Sequence, residues 1–126
     1  MTAEIRILDG STGPELPIVR GAGIARAIVW PGTGARLRSL HRIWLAPGAA
    51  TIELSHASDA VYYVVDGAGT VHDMTSGSDH AVRLGSMFHI DAGTSYAVDA
   101  GNGGLQVVGG PAPADTAMYA HLEDRG

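Results

Sequence analysis

The chain carries six histidines and four tyrosines but no cysteine, which narrows its chemistry before any fold is considered. Without a thiol there is no disulfide, no thiolate nucleophile and no zinc-thiolate centre. Proton transfer therefore falls to imidazole, carboxylate and phenol groups. An imidazole in an apolar pocket is held neutral by the cost of burying its charge, and can take a proton from a carbon or hydroxyl acid. A phenol beside it can donate a hydrogen bond to the oxyanion that forms. Such a pair supports isomerisation, cyclisation or elimination without a metal. His56, Tyr62 and Tyr96 lie on or beside strand-like segments and are candidates for these roles. His41, His72 and His89 also lie on such segments, whereas His80 and His121 fall in a loop and in the tail.

Short β-branched or alternating stretches recur over residues 4–8, 24–30, 37–46, 51–54, 61–65, 70–74, 87–90, 95–98 and 105–108. Turn residues separate them, among them Pro31-Gly32, Pro47-Gly48, Asp66-Gly67, Gly77 and Ala92-Gly93. That rhythm predicts an all-β barrel or sandwich. The run from Gly101 to Gly104 reads as a hairpin turn, because no lysine or helical pattern follows it as a phosphate loop would need. Trp30, Trp44 and Phe88 are assigned to core or interface. A length of 126 residues suits one domain, with residues 111–126 set apart as a C-terminal extension outside the core.

The spacing of residues 48–100 resembles the cupin family. In its first motif a glycine is followed by five residues, His-x-His, a short spacer, glutamate, six residues and glycine; Gly48, Leu54, His56, Ala60 and Gly67 stand at those places. In its second motif Gly85, Asp91, Gly93, Tyr96 and Ala100 stand where the family has glycine, proline, glycine, histidine and asparagine. The resemblance implies a double-stranded β-helix, the jelly-roll barrel. In metal-binding cupins, two histidines and the glutamate of the first motif and the histidine of the second hold the ion. This chain has Leu54, His56, Ala60 and Tyr96 there. One imidazole does not hold a divalent ion against water, since such sites need about three protein ligands. The expectation is therefore no metal and no cofactor.

Residues two apart on a strand share a face, so Leu54 goes with His56, and an inward position 60 brings Tyr62 and Val64 with it. Tyr96 and Val98 follow on the second motif. The expected site has His56 as base, Tyr96 as orienting or acidic group, and Tyr62, Leu54, Val64 and Val98 as the lining that binds substrate. The leading expectation is a metal-independent isomerase, cyclase or lyase acting on a small organic molecule. One alternative is a ligand-binding or sensory barrel without catalysis. Another is a metal enzyme with a remodelled ligand set drawn from His41, His72, His89, Glu53 or Asp59, the last two re-aimed inward by a bulge.

The formal charge of −5, with only 8 Lys plus Arg, provides no basic stripe for nucleic acid or an anionic membrane. No run reaches the roughly 18 apolar residues of a spanning helix. Met1 to Glu4 has no basic region leading into an apolar stretch, so a cytoplasmic location is expected. Apolar N-terminal strands suggest a homodimer that covers a sheet edge.

Overall fold

The computed structural model describes residues 4–123; Met1–Ala3, part of the N-terminal reading, and residues 124–126 of the extension lie outside them. Eight strands form one sheet: β1 (Val19–Arg20), β2 (Gly23–Val29), β3 (Leu40–Leu45), β4 (Ala50–Thr51), β5 (Ala60–Asp73), β6 (Ser78–Arg83), β7 (Met87–Ile90) and β8 (Tyr96–Pro111). All named pairings are antiparallel, in the order β1-β4-β8-β3-β2, with β5 joined to β8, β6 and β7. The expected jelly-roll barrel is the observed fold.

Two long strands organise it. One half of β5 (Ala60 to Gly67) and one half of β8 (Leu105 to Pro111) pair beside β3, and their other halves (Gly69 to Asp73 with Tyr96 to Ala100) pair beside β4. Asp66-Gly67 and Gly101 to Gly104 are therefore bends inside continuous strands, not the turns expected from the sequence. A Cβ on Gly67 would overlap the Gly104 carbonyl, and Gly67 also has φ +79°, so no other residue fits this crossing comfortably. The register shifts between Val64 and Asp66 and between Gly67 and Gly69 change which parity faces inward. Ala60, Tyr62 and Val64 are buried before the bend and Val71 after it; in β8, Tyr96, Val98 and Ala100 give way to Leu105 and Val107.

Two further expectations change. Residues 4–8 form no strand, and Ile5 and Ile7 are each 91% exposed, because no strand lies beside them. β6 carried no sequence signal, since Val82 is its only buried residue and the rest of Ser78–Arg83 is polar or exposed. The tail departs most from expectation. A 3-10 turn (Thr116–Tyr119) and one helical turn, α1 (Ala120–Glu123), fold back so that Tyr119 joins the core cluster, with Ala114, Met118 and Leu122 packed against it. No helix among the described residues is long and apolar enough to cross a membrane.

Candidate functional site

His56 follows β4 and Tyr62 lies on β5, while Tyr96 opens β8; the barrel turns all three inward, where each phenol is 1% exposed. His56 Nε2 lies 2.7 Å from the Tyr96 hydroxyl, which lies 2.9 Å from the Tyr62 hydroxyl. On its other side His56 Nδ1 lies 2.8 Å from Asp115 Oδ2. An ionised carboxylate can only accept, so Nδ1–H donates to Asp115 and, in the neutral ring, Nε2 accepts from Tyr96 O–H. Tyr62 O–H then donates to the Tyr96 oxygen. A proton on Nε2 would reverse the His56–Tyr96 bond and let Tyr96 O–H donate to Tyr62, while Nδ1–H still donates to Asp115, all without moving a heavy atom. The result is a four-member proton relay: Asp115, His56, Tyr96, Tyr62.

The phenols are poor acids here. Burial pushes Tyr62 up to about 12, partly offset by its bond to Tyr96, and burial with the neighbouring Tyr62 pushes Tyr96 higher still. Both stay protonated near neutrality and act as donors.

A second imidazole–phenol pair lies deeper. His41 on β3 is fully buried, with Nε2 2.6 Å from the Tyr119 hydroxyl. Burial lowers its pKa to about 4, helped by His56 and opposed by Asp115. It is neutral under ordinary conditions, and its Nδ1 has no hydrogen-bond partner among the described residues. Burial raises Tyr119.

Leu54, Val64 and Val98, the expected lining, belong to the same buried cluster as the phenols. Leu54 lines a groove over His56, whereas Val64 and Val98 line neither that groove nor the neighbouring cleft. The cleft, of about 400 Å³, lies against this cluster, walled by Val71, Val82, Phe88, Ile90 and Tyr96, with His89 and Asp91 also lining it. Phe88 stacks on Tyr62 at 5.2 Å, so the cleft wall touches the relay at two residues. The groove, of about 330 Å³, runs over His56 and Asp115 between Ile18, Leu54 and Met118.

The positions that hold the ion in metal-binding cupins do not fit one here. Leu54 and Ala60 offer no donor, and both nitrogens of His56 are engaged. Glu53 and Asp59 are exposed and are not re-aimed inward. His72 faces outward, bonded at 2.6 Å to both Asp79 and Asp99, and His89 is exposed between Asp59 and Asp91. Of the alternative ligands, only His41 points inside. Sequence reasoning missed Asp115 and Tyr119. The available signal was local: Asp115 accepts from the Ala117 amide as a capping residue does, and Tyr119 and Leu122 are three apart on the segment it starts.

No protein-family model matches this sequence, and no curated protein matches it. Among solved structures it is similar to an RmlC-like cupin from Shewanella frigidimarina, with 20% identity and a TM-score of 0.68 over 90% of this chain and 96% of that one. A cupin 2 conserved barrel domain protein from Salinispora arenicola is similar over 100% of both chains, at 20% identity and a TM-score of 0.63. The polyketide cyclase RemF from Streptomyces resistomycificus is similar at 18% identity and a TM-score of 0.65, over 91% of this chain and 81% of that one.

Proposed function

We propose that this chain, whose fold is the cupin barrel, binds a small organic molecule in the cleft beside Tyr96 and performs metal-independent acid–base chemistry on it. The observation that carries this reading is the unbroken hydrogen-bonded line from Asp115 through His56 to Tyr96 and Tyr62. Asp115 fixes the tautomer and orientation of His56, as an acid residue does for the imidazole of a catalytic triad. Tyr96, with its ring in the cleft wall, is the link between substrate and base. In a balanced transfer the Tyr96 hydroxyl takes the substrate's proton as it passes its own to His56 Nε2, and the reverse path returns it. Isomerisation, cyclisation and elimination each need only such a transfer. That a barrel of this fold serves as a polyketide cyclase supports small-molecule chemistry of this class.

A second reading is favoured by the sealing of the phenol groups: with Tyr62 and Tyr96 each 1% exposed, the relay can serve as a satisfied polar core beneath a binding cleft. A fragment screen by amide chemical-shift mapping, followed by mass spectrometry of ligands that perturb Phe88, Ile90 and Tyr96, separates the two. Catalysis predicts a product, and His56→Ala or Tyr96→Phe lowers turnover by about 100-fold or more. Unchanged turnover in both variants overturns the assignment, and saturable binding without product assigns the cleft to binding alone.

The proposal extends to a pair of identical chains. Ile5 and Ile7 are exposed, and the outer face of the sheet presents Leu40, Val61, Tyr63 and Met87 to solvent. A second copy would cover both.

A further inference from the structure

Outside the barrel, three potential ligands converge from separate places in the chain. Asp59 lies just before β5, His89 near the end of β7 and Asp91 just after it. His89 Nε2 is 3.6 Å from Asp59 Oδ2, and its Nδ1 is 3.3 Å from Asp91 Oδ1. One donor atom from each residue can be chosen so that all three lie within 4.8 Å of one another. Ligands about 2.1 Å from a shared ion stand roughly 3–3.5 Å apart, so the cluster needs only a small closure. The two carboxylates face opposite nitrogens of the ring. A cation taking one nitrogen therefore requires one carboxylate to swing, which exposed side chains can do.

Asp59 is the fixed member. Its Oδ1 accepts from the Ala92 amide at 2.9 Å, which leaves Oδ2 turned toward His89. The carboxylates carry two negative charges around one imidazole, and no Lys or Arg pairs with either of them among the described residues. Two oxygens and one nitrogen with open positions suit a borderline or hard divalent transition ion such as Zn²⁺ or Mn²⁺.

We infer that Asp59, His89 and Asp91 form a divalent-cation site at the mouth of the 400 Å³ cleft, separate from the positions that hold metal in other cupins. His89 and Asp91 line that cleft, so the ion's remaining positions lie at its edge, where water or an anionic oxygen of a bound molecule can fill them. The site is independent of whether the interior relay turns over a substrate.

The test is calorimetric titration of the untagged full-length protein with ZnCl₂, with MnCl₂ broadening of backbone amide signals as a map. One site is expected, with the amides of Asp59 and Ala92 among the first to broaden. Asp59→Asn, His89→Gln and Asp91→Asn should each weaken binding by about 10-fold or more, while the dichroism spectrum stays that of the folded barrel. His80→Gln, in the same cleft but outside the cluster, should leave affinity unchanged. No saturable binding overturns the assignment. So does binding that survives all three substitutions, as an ion held by Asp79, His72 and Asp99 would, or binding that depends on His80.

Discussion

His41 and His72 are imidazoles with opposite electrostatic surroundings, and they push the pH dependence of stability in opposite directions. In the unfolded chain each titrates near 6.5; in the fold, burial depresses His41 to about 4. Between those values the unfolded state holds a proton that the native state does not, so stability falls as pH drops from about 6.5 toward 4. The shift corresponds to roughly 3 kcal/mol. His41→Gln should flatten that acid limb in urea-unfolding midpoints measured from pH 7 to 4; an unchanged slope would show that His41 does not titrate this way. His72 is raised, first by its bond to Asp79 and then by that to Asp99. Its contribution is full below about 6.5 and is lost as pH rises through its folded value. His72→Gln should therefore lower the midpoint at pH 6 more than at pH 9. At this scale the sequence was informative: the motif positions of the cupin resemblance, extended by alternation, put His56, Tyr62 and Tyr96 on the inner face. It left open the orientation of His41, because one strand's pattern does not say which face is inside.

The elements divide according to whether their pattern survives over several residues. β2, β3 and β7 were legible within a few residues of their ends, since apolar residues alternate along them with turn signals outside. β5 and β8 were each read as two strands, because glycines that normally end strands here bend them and reverse their parity. β6 was invisible because only Val82 turns inward. The tail failed for another reason: a 3-10 turn and a single helical turn are too short to show periodicity, so only the cap at Asp115 and the spacing of Tyr119 and Leu122 marked it. That segment nevertheless supplies Asp115 to the relay. Tyr119 packs on Trp30 at 4.9 Å and bonds His41, so Tyr119→Ala should destabilise the protein by roughly 3–5 kcal/mol. Tyr119→Phe, which keeps the packing and loses the bond, should cost about 1–3 kcal/mol. Equal midpoints for wild type and Tyr119→Ala in urea would show that the tail is not docked as described.

At the scale of the whole molecule, the proposed pairing of two chains can be read directly from sedimentation velocity over a concentration series. A stable interface buries about 1,200–2,000 Å² in total, which requires a broad patch of the outer sheet face as well as Ile5 and Ile7. A dimer is expected, with Tyr63→Glu and Ile7→Asp shifting it toward monomer; a single monomeric species at every concentration would overturn the pairing.

β8 carries a consequence of its own. It is the shared neighbour of β3, β4 and β5, and it comes last of the eight strands. A chain emerging from the ribosome can close the β5–β6 hairpin early, but the barrel has no seam until residues 96–111 have left the exit tunnel. Closure of the barrel therefore waits for β8. Until then the apolar faces of the earlier strands stand open to other nascent chains, an exposure that lengthens with any pause in translation between β7 and β8.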